Sequence, residues 1–311
     1  MIIIRDLNVI DRPFRNAVVT IGNFDGVHIG HQALLHEVVE TADRFNGKAV
    51  AMTFEPHPMR VLNPDGHPAL ITLFEQKSEL IRTAGIDVLL AIPFTRQFAG
   101  IPARDFVADV LVERIGMTAI VIGKDYAFGK DREGNIDRLK EWGVELGYSL
   151  HVVDWIQGPQ NGSRRISSTN IRQLIMDGDM EHAQKLLGRH YQIRGEVAHG
   201  RNRGGRLLGF PTANITLQDE LCPKTGVYAV TVELDGTVHQ GVANIGYSPT
   251  FDDHVFTIEV HLLDFDRDIY GKKIRVNFIE RLRDEIRFSG LEQLSEQINL
   301  DVLKAREILD A

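Results

Sequence analysis

The sequence predicts two folded parts: a doubly wound α/β domain over residues 1–187, then a small antiparallel β-barrel with a C-terminal helix over residues 188–311. Three observations carry this expectation. First, apolar β-branched runs alternate with amphipathic stretches from residue 17 to residue 153: "AVVTIG", "KAVAMTF", "IDVLLAI", "TAIVIG" and "YSLHVV". That rhythm is the pattern of a parallel sheet covered by helices on both faces. Second, the period changes after Gly188. "QIRGEVAHG", "GVYAVTVEL", "VHQGVANIG", "VFTIEVHLL" and "KKIRVNFIE" are short, partly alternating segments broken by "RGG", "LDG", "SPT" and "YG", which suits a small barrel. Third, "LEQLSEQINLDVLKAREIL" closes the chain with the spacing of one amphipathic helix. Between the two parts, "SSTNIRQLIMDGDMEHAQKLLG" reads as two short helices, Ser and Thr capping the first and "DGD" separating them.

Composition narrows the function classes. Charged residues make up 25% and hydrophobic ones 43%, ordinary for a globular protein. A formal net charge of −8 argues against a general nucleic-acid binder or a partner of anionic membranes, so any bound anion has to be met by a local site. The single Cys222 excludes an internal disulfide and a multi-cysteine zinc site and points to a reducing, cytoplasmic setting. "MIIIRDLNVIDRPF" carries charges at Arg5 and Asp6 and lacks the apolar core of a signal peptide, and no run has the length of a membrane span. Oligomeric state is left open by the sequence.

The stretch "TIGNFDGVHIGHQALL", residues 20–35, joins the first strand of the alternating pattern to a helix. Such a turn lies at the carboxyl edge of the sheet, where a helix N-terminus offers unpaired N–H groups and a positive dipole end to phosphate. His28 and His31 stand at the mouth of that helix, and paired imidazoles there can donate hydrogen bonds to charge developing on an α-phosphate. Asn23 and Asp25 can orient a ligand or stabilise the turn, while Gly22, Gly26 and Gly30 allow close backbone approach. A lone histidine at a helix start is usually a cap; two, three residues apart in a glycine-rich turn, favour a site. Zinc lacks the remaining ligands, and "GKDYAFGKD" is not a Walker A loop because its spacing is wrong and it ends in Asp.

A second constellation is "GRNRGGRLLGFPTANI", residues 200–215. Arg201, Arg203 and Arg206 with the glycines, Gly205 among them, suit phosphate oxygens, although an ordinary basic loop has the same composition. Thr212 and Asn214, at i and i+2 on one face of an extended segment, offer two oxygen ligands to Mg²⁺ bound with ATP.

With these motifs in view, "GNFDGVHIGH" resembles the HxGH signature of the bacterial bifunctional riboflavin kinase/FAD synthetase family. "TFEPHP", "FAGIPARDFV", "IGKDYAFGKDREGN" and "RRISSTNIR" resemble its adenylyltransferase half. The resemblance implies a nucleotidyltransferase fold in which His28 and His31 assist transfer of AMP from ATP to FMN. Gly22, Asn23, Phe24 and Gly30 then lie at the nucleotide, and Ser167, Ser168, Thr169 and Arg172 hold its phosphates. Asp125 matches a position near the flavin, whereas Ala127 departs from the polar residue common after the aromatic. "LGFPTAN", "GVYAV", "GVANIGYSPTF", "EVHLLDFDRDIYGKKIRVNF" and "RLRDEIRF" are similar to the flavokinase half, in family order. There Glu259 matches the catalytic base, Arg283 and Phe288 the flavin-side lid, and Tyr247 and Ser248 depart from the pattern. Riboflavin, FMN, ATP and FAD are the implied partners. An HxGH transferase for another acceptor, and a flavin-binding protein without turnover, are the rival readings. Intact "PTAN" and "IEVH" weigh against the first, and the presence of His31, Thr212 and Glu259 against the second.

Overall fold

The computed structural model describes residues 1–154, 156, 166–198, 210, 212–217, 219–247 and 256–310. By compactness the chain divides into Met1–Ser168 and Thr169–Ala311. The latter unit thus takes in the two helices that precede residue 188.

The first unit is a six-stranded sheet of order β1-β4-β3-β2-β5-β6. Its strands are β1 (Ile2–Ile4), β2 (Ala17–Ile21), β3 (Ala49–Phe54), β4 (Val88–Ile92), β5 (Met117–Gly123) and β6 (Ser149–Val153), all paired in parallel. Both faces of the sheet are covered, which is why β2, β3 and β4 read as continuous apolar runs. Alternate residues go to opposite sides: Ala17, Val19 and Ile21 join one core with Phe106, Val107 and Leu111, while Val18 joins the other with Leu34, Leu35 and Val38. The second group lies on α1 (Ile29–Arg44), whose buried stripe fixes the helix against the sheet. Three shorter helices follow: α2 (Pro58–Leu62), α3 (Phe74–Thr83) and α4 (Arg96–Ala99). Then come α5 (Ala103–Asp105), which continues as the π-helical Phe106–Arg114, and α6 (Ile136–Leu146).

Strand order reverses at β2, which has β3 on one side and the later β5 on the other. Ligands in open α/β sheets bind outside the carboxyl ends at such a point. The segments that emerge there are Gly22–His31 after β2 and Lys124–Phe128 after β5.

In the second unit, α7 (Ser168–Asp177) and α8 (Met180–Leu187) are separated where Gly178 takes φ 80° and the Asp179 side chain caps α8 by accepting from the His182 N–H. A closed barrel follows, of order β10-β11-β8-β7-β12-β9, its paired neighbours antiparallel. Its strands are β7 (Tyr191–Ala198), β8 (Ala213–Ile215), β9 (Gly226–Leu234), β10 (Thr237–Tyr247), β11 (Phe256–Leu262) and β12 (Lys273–Arg283). Helix α9 (Leu291–Leu309) covers one outer patch, packing Val302, Ala305, Ile308 and Leu309 on Val227, Ala229, Val242, Leu263 and Leu282.

Candidate functional site

The turn after β2 holds an unfavourable backbone. Phe24, Gly26 and Val27 have φ of 48°, 82° and 38°, and Phe24 and Val27 are buried L-residues for which that region is costly. Buried hydrogen bonds hold the turn in this conformation. The Asp25 carboxylate, 2% exposed, accepts from the Ile71 N–H at 3.0 and 3.2 Å and from the Thr72 N–H at 3.2 Å. The Gly26 N–H donates to Thr72 Oγ1 at 3.1 Å, Thr53 Oγ1 donates to the Asn23 carbonyl at 3.2 Å, and Gln32 Nε2 donates to the Val27 carbonyl at 2.9 Å. Ser168 Oγ donates to the Asp25 carbonyl at 2.9 Å and so ties the "ISST" segment to the HxGH turn. Of the two roles open to Asp25 in the sequence, the structure shows stabilisation of the turn.

His28 caps α1: its Nδ1 accepts from the His31 N–H at 3.3 Å. In that acceptor role the neutral ring carries its proton on Nε2. The His31 ring stacks on His28 with centroids 3.6 Å apart and planes at 15°, and Phe24 meets His31 edge-on at 5.4 Å. Gly30 makes the stack possible, because a Cβ there would lie 3.2 Å from the His28 ring. Gly22 plays the same part under the Phe24 ring, at 3.1 Å. His57 is a buried cap of α2, accepting from the Met59 N–H at 3.2 Å.

An aromatic wall, not anticipated from sequence, lines the carboxyl ends of β3, β4 and β5. Phe54 contacts Phe94 and Phe98 at centroid distances of 5.4 and 5.7 Å; Phe106 bridges Phe98 and Phe128 at 5.8 and 5.9 Å; Tyr126 stacks on Phe128 at 5.2 Å. Burial raises the Tyr126 phenol above its ordinary range. Asp125 is exposed at the start of the same loop, and Ala127 is half-buried within it. The local signal was an aromatic at or just past the end of each of three strands, in "TFEPHP", "IPF" and "DYAF".

The barrel carries a different arrangement. Asn214 of β8 and Asn244 of β10 both stand opposite Glu259 of the intervening β11. Their neighbours Ala213, Ile215, Ala243, Ile245, Ile258 and Val260 fill the barrel interior, so the three polar residues form a row on the outer face. Glu259 is half-buried on β11, which is no edge strand because the barrel is closed, and burial raises its carboxyl above the usual range. Thr212 and Phe210 precede Asn214 at steps of two, and the Phe210 ring meets His261 edge-on at 5.4 Å. A cavity of about 320 Å³ opens there, lined by Phe210, His261, Leu263, Phe265, Val302 and Arg306.

Arg283 commits its guanidinium to the buried Asp301 of α9, Nε to Oδ1 at 2.8 Å and Nη2 to Oδ2 at 2.6 Å. It also lies 6.0 Å from the Phe288 ring, which with Arg287, Gln293 and Gln297 borders a second cavity of about 240 Å³. Ser167, Thr169 and Arg172 lie at and beyond the start of α7. Gly205, Arg206, Arg201, Arg203 and Ser248, and the side chain of Tyr247, lie outside the described residues. No group of three His, Cys, Asp or Glu able to hold a metal occurs among the described residues.

A strained, anchored histidine turn at the switch point of one unit and a carboxylate–amide row on the barrel of the other are two separate candidate sites, the arrangement of a two-site transferase. Comparison with known proteins gives the family. The FAD synthetase family model matches residues 11–170 and the riboflavin kinase model residues 187–309. The bifunctional riboflavin kinase/FMN adenylyltransferase of Escherichia coli K12 is 40% identical over 301 residues, 96% of this chain and 95% of that one. The Pseudomonas fluorescens protein of the same name is 39% identical, with 99% and 98% covered. A crystal structure named as a macrolide-efflux protein from Streptococcus pneumoniae shares the fold with a TM-score of 0.88 at 34% identity, covering 98% of each chain. The chain belongs to the bifunctional riboflavin kinase/FMN adenylyltransferase family. Among its described residues no helix is long and apolar enough to cross a membrane.

Proposed function

We infer that the chain runs two ATP-dependent reactions in succession: the barrel phosphorylates riboflavin to FMN, and the α/β unit converts FMN and ATP to FAD and pyrophosphate. Membership of the family and the presence of both matched regions support the pair of activities. In the barrel, the cross-strand placement of Asn214 opposite Glu259 carries the assignment. A ribityl hydroxyl oxygen attacks the γ-phosphorus of ATP as its proton passes to Glu259, and the bond to the β–γ bridging oxygen breaks to release ADP. The raised carboxyl makes Glu259 a better base than an ordinary surface glutamate. Thr212 and Asn214 are neutral oxygen donors on one face, a set that fits Mg²⁺ completed by phosphate oxygens and water. When bound, that ion neutralises phosphate charge. The aromatic lining of the Phe210–His261 cavity suits an adenine ring, and Phe288, beside Arg283, suits the flavin side.

In the α/β unit a phosphate oxygen of FMN attacks the α-phosphorus of ATP and pyrophosphate departs, with no covalent enzyme intermediate. His28 and the stacked His31 donate to the charge that builds on the α-phosphate. Gly22, Asn23, Phe24 and Gly30 shape the nucleotide seat, while Ser167 contributes to holding the leaving phosphates. Ser168 directs its hydroxyl at Asp25, so its contribution to phosphate is assigned to its backbone N–H. The aromatic wall beside Asp125 suits the flat isoalloxazine ring. We place both reactions in the cytoplasm, where a single reduced cysteine is at home. A chromatographic time course with riboflavin, ATP and Mg²⁺ tests the reading: FMN should rise and then give way to FAD, and a reaction begun from FMN should make FAD directly. No flavin product from either start would overturn it.

A further inference from the structure

Three of the four charged side chains in "RLRDE", residues 281–285 at the end of β12, are committed to the fold. Arg281 Nη2 donates to the Thr225 carbonyl at 2.6 Å and to the Asp284 carboxylate. Arg283 is bound to the buried Asp301 by two hydrogen bonds, Gln297 Nε2 donates to the same carboxylate at 3.0 Å, and Arg283 Nη1 donates to the Asp284 carbonyl at 2.9 Å. The fourth, Glu285, is exposed, and its carboxylate makes no hydrogen bond or ion pair among the described residues. It is nonetheless held against β10. A Cβ on Gly246 would overlap Glu285 Oε1 and lie 2.6 Å from Cδ, so the carboxylate rests on bare backbone. Gly246 is buried beneath it on the outer face of the barrel, since the alternate residues Ala243 and Ile245 fill the interior. That seat adjoins the carboxylate–amide row. Asn244 pairs with Glu259 on one side and Val227 on the other, and Val227 pairs with Arg283. The chain leaving Arg283 therefore reaches past β9 and sets Glu285 on β10, one same-face step of about 7 Å beyond Asn244.

We propose that Glu285 is a substrate-binding residue of the phosphorylation site: its carboxylate accepts hydrogen bonds from the internal hydroxyls of the ribityl chain and so selects a polyhydroxylated flavin. The role rests on the assignment of riboflavin phosphorylation to the barrel. A riboflavin whose terminal hydroxyl meets Glu259 and whose ring lies at Phe288 lays its chain between those ends, beside Glu285. A carboxylate suits that place because it only accepts hydrogen bonds, and each chain hydroxyl has a proton to give. The clasped arginines hold the residues just before it, so little new order is needed when the substrate arrives. A Glu285 that served only to seat the connection on Gly246 would affect every flavin substrate alike.

The experiment measures ADP release by the full chain with riboflavin and with an analogue that keeps the ring and the terminal hydroxyl but has plain methylenes between them. FAD formation from FMN in the α/β unit serves as an internal control on protein integrity. The parent protein should use the analogue with a kcat/KM about 10- to 100-fold below that for riboflavin, the range expected when hydrogen bonds to a charged acceptor are lost. Glu285→Ala should raise the KM for riboflavin about 10-fold, change kcat by less than about threefold, and leave the KM for the analogue within about twofold of the parent value. A parent that uses both substrates equally well, an unchanged KM for riboflavin in the variant, or an equal loss with both substrates would overturn the proposal. If Glu285→Ala unfolds the barrel, seen as loss of its calorimetric transition, Glu285→Gln decides, because it keeps the side-chain length and one acceptor oxygen. A KM raised about threefold for riboflavin alone supports the role, and a folded Glu285→Gln that shifts both substrates equally, or neither, overturns it. A parent protein that releases no ADP with riboflavin would instead refute the assignment of the barrel, independently of Glu285.

Discussion

The two sites are built in opposite ways. In the α/β unit the proposed chemistry sits on a turn with three positive φ angles, held by a buried carboxylate and buried hydroxyls. On the barrel it sits on regular strands, where the ladder alone places Asn214, Glu259 and Asn244 in a row. A strand ladder fixes side-chain position through backbone bonding that any sequence can make, so its functional residues can be changed with little cost to the fold. A strained turn depends on particular side chains, so function and stability are coupled there.

Substitutions can break this contrast, the largest effects first. His31→Ala should reduce FAD formation by more than about 100-fold while riboflavin phosphorylation continues, as expected for loss of a hydrogen-bonding catalytic group. Glu259→Gln should reduce phosphorylation by about 100- to 1,000-fold and leave FAD formation from FMN intact. The same change tests the pH reading. Burial raises the Glu259 carboxyl, so the acid limb of the phosphorylation profile should lie above that of an ordinary glutamate and vanish with the variant. A raised carboxyl contributes stability only while protonated, and that contribution is lost as pH rises through its shifted value. Glu259→Gln should therefore raise the melting temperature of the barrel at neutral pH even as it removes activity; a lowered one would contradict the burial argument.

Asp25→Ala should do the reverse in the α/β unit, lowering its stability by about 3 kcal/mol by leaving buried N–H groups without an acceptor. Denaturant unfolding followed by Trp142 fluorescence would read this, and a stability within experimental error of the parent would show that the turn is not anchored as described. The smallest expected effect is at the aromatic wall. Phe94→Leu should raise the KM for FMN about fivefold with kcat nearly constant, as one ring of the wall and its two ring contacts are lost.

The same contrast explains what the sequence disclosed. Strand runs, the break at "DGD" and the helix over Leu291–Leu309 were legible because each rests on local periodicity. Strand β1 was not, since three residues carry no period and its place depends on pairing with β4. His28, His31, Thr212, Asn214 and Glu259 stood out through compact motifs. The aromatic wall did not, because Phe54 and Phe128 are brought together only by the parallel crossovers. The burial of Lys77 was hidden by its own helix, whose composition reads as solvated. Asn244 was missed because nothing in "GVANIG" reveals which strand faces it.

The central claim is that one chain holds two independent transfer sites. The most direct test is complementation in solution: purified His31→Ala and Glu259→Gln proteins are given riboflavin, ATP and Mg²⁺ separately and then mixed. The account predicts FMN without FAD from the first, almost no product from the second, and FAD from the mixture, as FMN released by one barrel reaches an intact histidine turn on the other protein. FAD made by either variant alone, or a mixture that stops at FMN, would contradict it.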